Sequence, residues 1–394
     1  MPVLDELPDR SGLQRIWPVL PEARLVGGVV RDLLVRRPVA DLDLATPEPP
    51  ATVMQRLGAA GIKVVPTGLA HGTVTAVLDG RPFEITTLRR DVETDGRHAV
   101  VAWTDDWRED AARRDFTINA MSIDRNGRLH DYFDGAADLR RGLVRFVGDA
   151  RKRIAEDALR ILRYFRFHAR YGRGDPDPAA LQAIGDGAGL LVRLSAERIW
   201  SELRRLLAVA DAAAAVTLMH RLGVLVALLP GGATPDRLAR LTALDAPADP
   251  LLRLAALAEA PAGTLAARLK LSNAEAERLA RLKQGARPDP DLDDDALRRL
   301  LADTDAATLC DRSWLAAADE VPARPDAWAV LRQRLREAER PVFPLSGRDA
   351  VAAGVPAGPR VGEALRAVAG WWRDGGCRAD RAACLARLAA IARG

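Results

Sequence analysis

Residues 25–46, Leu25-Val-Gly-Gly-Val-Val-Arg-Asp-Leu-Leu-Val-Arg-Arg-Pro-Val-Ala-Asp-Leu-Asp-Leu-Ala-Thr46, decide the fold of the first part of the chain. The apolar start predicts a short strand that ends at Gly27-Gly28, and the residues after the glycines have helical spacing. Glycine lets backbone N–H groups approach an anion closely, and a helix N-terminus favours negative charge. This junction therefore predicts a place where phosphate groups bind.

The end of the same stretch, Asp41-Leu42-Asp43-Leu44, alternates charged and apolar residues with period two. In a strand, this spacing places both carboxylates on one face and both leucines on the other. An Asp-x-Asp pattern alone is more typical of a solvated edge strand, and a Gly-Gly pair alone is more typical of a turn. Their occurrence in one strand-helix-strand span favours a site for a nucleoside triphosphate and Mg²⁺, which prefers carboxylate and phosphate oxygens.

Length and composition restrict the class of protein. The chain has 394 residues, a net charge of +4 and three cysteines that form no Cys-x-x-Cys pair, so neither a zinc site nor a disulfide framework is expected. No segment approaches the roughly 18 apolar residues of a membrane span, and the N-terminus lacks a signal-peptide pattern, so we expect a cytoplasmic protein. Between Arg145 and Arg173 nine basic residues stand against three acidic ones, which predicts a phosphate-facing surface.

The coarse pattern predicts an α+β region over residues 24 to about 140, followed by helices to the end of the chain. Asp79-Gly80 lies between two β-rich runs and predicts a hairpin. In its second strand Phe83 and Ile85 share one face, and Glu84 lies on the other. Glu84 could thus join Asp41 and Asp43 in a carboxylate triad, or simply face solvent.

Residues 150–171 are predicted to form one helix. A helical wheel gathers four apolar residues on one side, namely Ile154, Ala158, Ile161 and Phe165. Glu156, Asp157, Arg160, Arg163 and Tyr164 gather on the opposite side. This polar side is either a solvated face with weak ion pairs or a surface on which Asp157 and Arg160 present an acceptor beside a donor. The Arg113-Arg-Asp115 run has a similar pair of explanations, an ion-pair cluster or a functional motif.

Taken together, the motifs resemble those of the class II CCA-adding tRNA nucleotidyltransferases, within the tRNA nucleotidyltransferase and poly(A) polymerase family. Five motifs occur in the family's order over about 180 residues: Gly27-Gly-x-x-Arg-Asp32 with Asp41-x-Asp43, Arg113-Arg-Asp-Phe-Thr-Ile-Asn-Ala120, Asp131-Tyr-Phe-Asp-Gly-x-x-Asp-Leu139, Glu156-Asp-x-x-Arg160-x-x-Arg163, and Ser195-x-Glu-Arg-Ile-x-x-Glu-Leu203.

The resemblance implies a fold and a domain order. The fold is a nucleotidyltransferase head with a small mixed or antiparallel sheet, followed by an all-α neck, body and tail. The implied boundaries are 1–140 for the catalytic head, 141–205 for the neck with its base-reading helix, 206–300 for the body and 301–394 for the tail.

The resemblance also implies the roles of individual residues. Asp41 and Asp43 would bind two Mg²⁺ ions and, with Glu84, form the catalytic set. The implied nucleotide-binding residues are Gly27, Gly28, Arg31, Arg114, Asp115, Asn119, Asp157, Arg160 and Arg163. Cytosine and adenine each carry an amine beside a ring-nitrogen acceptor, which suits an Asp acceptor beside an Arg donor, whereas uracil and guanine do not.

The implied reaction is template-independent addition of CCA to the 3′ end of tRNA from CTP and ATP, and the helical body and tail would contact the acceptor stem and elbow. Two alternatives stay open: a poly(A) polymerase, and an inactive RNA-binding relative. The charged segment Arg89–Ala99 reads as a loop of the kind that CC-adding enzymes lack, which favours full CCA addition. No metal-dependent phosphohydrolase domain with a His-Asp pair is expected, and the sequence leaves the oligomeric state open.

Two positions depart from the family pattern. Arg36 stands where many relatives have a glycine at the end of the first helix, so we expect a modestly strained turn. Asp131-Tyr-Phe-Asp134 replaces the more common Asp-Pro-Phe-Gly. Neither change removes an implied ligand.

Overall fold

The computed structural model describes residues 4, 7, 9–39, 41–94, 99–322 and 324–393, with backbone only for 91–94 and 99–101. The chain divides into two compact units, Met1–Leu228 (unit 1) and Leu229–Gly394 (unit 2). The division into four domains stays a prediction. In the described part of the chain, no helix is long and apolar enough to cross a membrane.

Unit 1 contains the strands and eleven of the described helices. The strands are β1 (Arg24–Val26), β2 (Asp43–Thr46), β3 (Lys63–Gly68), β4 (Thr73–Leu78), β5 (Arg81–Thr87), β6 (Arg89–Thr94), β7 (Ala99–Trp103), β8 (Met121–Ile123) and β9 (Leu129–Asp131). The helices are α1 (Arg10–Ile16), α2 (Gly28–Leu34), α3 (Pro50–Ala59), α4 (Trp107–Ala112), α5 (Gly135–Arg141), α6 (Ala150–Glu156), α7 (Leu159–Tyr171), α8 (Pro178–Gly187), α9 (Ala196–Leu207), α10 (Ala212–Arg221) and α11 (Val224–Leu228), with 3₁₀ turns at Leu69–His71, Thr117–Asn119 and Ala188–Arg193.

Seven strands of unit 1 form one mixed sheet in the order β3-β4-β5-β2-β1-β8-β9. Strands β2 and β5 pair in parallel, and the other neighbours are antiparallel. The parallel register places Asp43 opposite Glu84 and Leu44 opposite Ile85. Because Leu44 and Ile85 are fully buried, this register fixes which face of β2 and β5 carries the carboxylates. The predicted α+β fold with a mixed sheet is confirmed.

The predicted hairpin is also present. Strands β4 and β5 pair through Leu78 and Arg81, and the connecting Asp79 and Gly80 both have positive φ, 50° and 77°, as a type I′ turn requires. Phe83 is buried beneath this hairpin.

The single helix predicted over residues 150–171 is wrong. The chain forms α6 and α7 separately, and Asp157 between them is extended, with φ −155° and ψ 105°. Its carboxylate accepts the backbone N–H of Leu159 at 3.1 Å, so it satisfies a free N–H in the first turn of α7. Tyr164 was predicted on the polar side, yet it is fully buried and stacks on Phe146 at a ring-centroid distance of 5.8 Å.

The segment predicted as a loop at residues 89–99 is largely a β-hairpin. Strands β6 and β7 pair from Arg89 with Trp103 to Thr94 with Ala99. Residues 95–98 lie outside the described part of the chain. The sequence pattern did not predict this hairpin because β6 carries many charged residues and lacks apolar alternation.

The regular elements of unit 2, within its described residues, are helices, and Ala233 and Ala258 form an isolated β-bridge. Its helices are α12 (Pro235–Ala243), α13 (Pro250–Leu257), α14 (Ala262–Leu269), α15 (Asn273–Lys283), α16 (Asp294–Asp303), α17 (Ala306–Asp319), α18 (Pro325–Glu337), α19 (Gly347–Ala352), α20 (Pro359–Asp374) and α21 (Arg381–Arg393). One apolar cluster joins α16, α17 and α18 around Leu309 and Leu331, and another joins α19, α20 and α21 around Val368 and Leu388.

Helix α2 ends in a turn in which Arg36 adopts a left-handed backbone conformation, which is strained for an arginine. Arg36 has φ 53°, and the N–H groups of Arg36 and Arg37 donate to the carbonyls of Leu33 and Asp32, the pattern of a Schellman motif in which glycine is usual. Asp134 likewise has a positive φ, 61°. The strain expected from the sequence at Arg36 is therefore present.

We expect Arg36→Gly to stabilise the protein by about 0.5–1 kcal/mol, since relief of left-handed strain outweighs the added entropy of the unfolded chain. Urea unfolding followed by circular dichroism measures the change. Arg37→Gly is the matched control, because Arg37 has no positive φ and packs over Tyr171. Lower stability of Arg36→Gly than of the unmodified protein would contradict this account.

Candidate active site

The glycine junction lies at the start of the site. Gly27 has φ 70° and ψ −122°, a conformation that a side chain would strain, and it immediately precedes α2. A Cβ atom at Gly27 would lie 3.2 Å from Nη1 of Arg114. Glycine therefore allows the backbone and the Arg114 guanidinium to approach each other closely.

Carboxylates converge beside this junction. Strand pairing sets Asp43 and Glu84 side by side. Burial raises the pKa of Asp43, and the charges of Glu84 and Asp41 raise it further, while the charge of Arg114 opposes the rise. Asp41 precedes β2, is exposed, and does not line the cavity described below. Among the described residues, no group of three or more His, Cys, Asp or Glu side chains is close enough to form a metal site unaided. Strand pairing thus places Asp43 and Glu84 next to each other, and both line that cavity, whereas Asp41 does not.

Arg31 is held from several sides. Its guanidinium donates to Oδ1 of Asn119 at 2.6 Å and to the carboxylate of Asp32. It also lies over the rings of Tyr171 and Phe167, at 4.5 and 5.0 Å from their centroids. The side chain is 9 % exposed, so one fixed cation faces the site.

The Arg113-Arg114-Asp115 segment forms ion pairs, as its more common interpretation predicted, and also lines the site. Arg113 and Arg114 both bind Asp110 on α4. Asp115 is buried and accepts hydrogen bonds from Asn119 at 3.0 Å and Arg163 at 2.7 Å. Burial alone would raise the pKa of Asp115, but the Arg163 charge and these hydrogen bonds keep it below its usual value.

Asp157 and Arg160 do not share one helix, and each has its own partner. The Asp157 carboxylate binds Arg198 of α9 at 2.7 Å. Arg160 binds Glu156 at 2.6 Å and the carbonyls of Arg153 and Arg113. The break between α6 and α7, together with α9, therefore positions the Asp157 carboxylate and the Arg160 guanidinium. Helical periodicity does not.

These side chains line one cavity of about 750 Å³ within unit 1. The predicted residues that line it are Gly27, Gly28, Arg31, Asp43, Glu84, Arg114, Asp115, Asn119, Asp157, Arg160 and Arg163. The prediction missed several further lining residues, including His71, Thr86, Arg113, Phe167 and Arg198. Arg113 and Arg198 belong to two of the sequence motifs that resemble the family, although neither of them was assigned a role in the site from the sequence.

Two protein families match parts of the chain. Residues 23–145 match the family described as "Poly A polymerase head domain". Residues 175–234 match that described as "Probable RNA and SrmB- binding site of polymerase A". The first match includes strands β1 to β9, and the second begins after α7.

Named proteins resemble the chain over longer ranges. The human protein "CCA tRNA nucleotidyltransferase 1, mitochondrial" is 51 % identical over 47 % of this chain, but the match spans only 44 % of the human protein. The mouse protein of the same name is 35 % identical over 91 % of this chain and 85 % of its own length. A Bacillus stearothermophilus CCA-adding enzyme, solved in complex with CTP, superposes with a TM-score of 0.74 at 29 % identity, covering 98 % of each chain. The chain therefore belongs to the CCA tRNA nucleotidyltransferase family.

Proposed function

We propose that this protein adds CCA to the 3′ end of tRNA from CTP and ATP, without a nucleic-acid template, and releases diphosphate. The observation that carries the proposal is the unit 1 cavity, in which the carboxylates of Asp43 and Glu84 lie beside the arginines and Asp157. A carboxylate pair alone would suit many metal sites. A cavity that presents both an acidic and a guanidinium group is what selection of C and A requires. The names of the relatives support the same activity.

The metal part of the proposal rests on the carboxylates. Asp43, Glu84 and Asp41 repel one another when ionised, and the raised pKa of Asp43 reflects this repulsion and its burial. Oxygen ligands of this kind fit Mg²⁺, which is usually held by carboxylates together with substrate phosphates. Two such ions, when bound, would activate the tRNA 3′-hydroxyl and stabilise charge on the diphosphate. Asp41 and Asp43 would hold them, with Glu84 assisting.

The phosphates and ribose would be held by fixed groups of this chain. Gly27 and Gly28 would expose backbone N–H groups to the triphosphate, and Arg31 would supply a positive charge that folding already orients. Arg114, Asp115 and Asn119 would contact the ribose.

The base would be chosen by Asp157, Arg160 and Arg163. An Asp157 oxygen would accept a hydrogen bond from the amine of cytosine or adenine, and the Arg160 guanidinium would donate to the adjacent ring nitrogen. A uracil carbonyl would instead face a carboxylate, which leaves a buried acceptor unpaired. Arg163 binds Asp115 and therefore links the base-reading and ribose-binding groups.

The tRNA would be bound through its shape and phosphates by residues 141–394, with contacts to its acceptor stem and elbow. The four-part division into head, neck, body and tail, the absence of a phosphohydrolase domain and a cytoplasmic location belong to the same proposal. They rest on the order of the motifs and on the composition of the sequence.

We expect the purified protein to extend tRNA that lacks its 3′ end by two C residues and one A when given CTP, ATP and Mg²⁺. Gel analysis of labelled tRNA measures this. A run of A residues would identify a poly(A) polymerase, and absence of extension would identify a catalytically inactive relative. Omitting CTP separates the first two outcomes further, because a CCA-adding enzyme would then leave the fully trimmed tRNA without its CCA end.

A further inference from the structure

Unit 2 contains a cavity of about 470 Å³, formed by α12, α13, α15 and α17 with the segment after α15. We call it the unit 2 cavity. It is lined by four cationic side chains and two carboxylates, namely Arg237, Lys283, Arg287, Arg312, Glu259 and Asp319. The lining is therefore positive on balance, and none of these residues belongs to the site in unit 1.

One carboxylate is shared by two of the arginines. Asp319 accepts hydrogen bonds from Nε and Nη2 of Arg237 at 2.7 and 2.8 Å, and from Nη1 of Arg287 at 2.9 Å. A single negative charge thus faces two guanidinium groups. The excess positive charge of the cavity remains after this internal pairing is taken into account.

Arg312 is buried without a carboxylate partner among the described residues. It is 8 % exposed, and its hydrogen bonds go to the carbonyls of Arg281 and Ala286. A Cβ atom at Gly285, where φ is 96°, would lie 2.7 and 2.8 Å from its two terminal nitrogens. The absence of a side chain at Gly285 therefore lets the guanidinium pack against the backbone there.

Lys283 supplies the fourth cation of the lining. Its ammonium donates to the carbonyl of Ala258, which uses one of its three N–H groups. Burial and the nearby charge of Arg237 lower the pKa of Lys283, while the Glu259 carboxylate opposes the shift. An anion in the cavity would offset this unfavourable environment.

We propose that the unit 2 cavity binds a phosphate group, either of a small phosphorylated molecule or of an RNA backbone. Arginine forks and a lysine ammonium are the side chains that suit phosphate oxygens, and a concave site excludes part of the competing water. The cavity volume lies within the range of about 300–1,000 Å³ that is typical of small-molecule sites.

Isothermal titration calorimetry of the 394-residue protein with inorganic phosphate tests this proposal. The titration is done in EDTA, and a titration with chloride at equal ionic strength is the reference. We expect Lys283→Met to weaken the unit 2 phosphate affinity at least fivefold, and Arg287→Gln to weaken it as well. Arg366→Gln, which removes an exposed charge that does not line the cavity, is the matched control and should change nothing. Arg114→Ala should retain the binding, since that residue lines the other cavity.

Arg287 has an exposed side chain, so its variant should fold even if Lys283→Met does not. Asp319→Asn should have the opposite effect and tighten phosphate binding, because it removes the internal competitor for two arginines. Equal phosphate binding by the unmodified protein, Lys283→Met and Arg287→Gln would overturn the proposal, as would no binding beyond that of chloride.

A second titration identifies the source of the phosphate group. If Arg287→Gln weakens tRNA binding and inorganic phosphate competes with tRNA, an RNA backbone supplies the group. If tRNA binding is unchanged while phosphate binding is lost, a small phosphorylated molecule supplies it. This readout does not depend on CCA addition, so it is independent of the proposed activity.

Discussion

Asp43→Asn is expected to slow nucleotide incorporation into tRNA by about 10³-fold, the scale on which loss of one electrostatic group in an active site acts. The substitution keeps the shape of the side chain but removes a charge that would hold a metal ion. It also relieves the repulsion that Glu84 and Asp41 exert on Asp43, so the metal-free protein should be at least as stable as before. Single-turnover assays with CTP measure the rate.

Asp79→Asn is the matched control for this experiment. Asp79 is an exposed turn residue with positive φ, a conformation that asparagine adopts readily, so its variant should keep full activity. Thermal unfolding of both variants checks that the fold is intact. Undiminished incorporation by Asp43→Asn would remove Asp43 from the catalytic set and would leave the carboxylate pairing of β2 and β5 without a catalytic role.

Loss of base selection is the second large effect expected. Asp157→Ala should reduce the preference for CTP over UTP by about 10²-fold, which corresponds to the ~1–3 kcal/mol typical of recognition of a base edge by two hydrogen bonds. Metal-dependent binding of the triphosphate should survive, because Asp43 and Glu84 are unchanged. Incorporation assays with each of the four nucleotides measure the change.

The position of Asp157 between two helices requires a second variant. Alanine favours helix, so it could join α6 to α7 and move Arg160 as well. Asp157→Asn keeps an acceptor for the N–H of Leu159 while removing the ion pair with Arg198, and it should also lose selectivity. Asp186→Ala on α8, which removes an exposed ion pair with Arg151 of α6, should not. Undiminished rejection of UTP by both Asp157 variants would show that the base is chosen elsewhere.

The strand and hairpin elements that position the site could be predicted because their signals are local. Gly27-Gly28 follows an apolar run, Asp79-Gly80 separates two β-rich runs, and the alternation in β5 places Glu84 opposite the buried face. Alternation alone could not identify the pairing partner of β5. This strand pairs in parallel with β2, whose residues lie 41 positions earlier in the chain, and such a distant pairing is a property of the whole sheet.

The helix break could not be predicted because its local signal, a helix-capping residue type at Asp157, is weak beside the continuous apolar spacing. Residues 154–165 keep apolar spacing across the break, and neither glycine nor proline interrupts them. The break is stabilised by contacts from distant parts of the chain, since Asp157 binds Arg198 and Arg160 binds the carbonyl of Arg113. Tyr164 was misplaced for a different reason. It lies four residues after Arg160 within α7, so a helical wheel groups the two, but contacts with Phe116 and Phe146 bury its ring.

The contacts of Arg31 have a thermodynamic consequence for substrate binding. A surface arginine that closes on a ligand loses rotamer freedom at that moment, at about 0.5–1.5 kcal/mol for a flexible side chain. The Arg31 guanidinium is already immobilised by its contacts with Tyr171, Phe167 and Asn119 in the folded chain. Its ordering entropy is therefore lost when the chain folds and not when a nucleotide arrives, so this part of the cavity is preorganised for repeated cycles of binding and release.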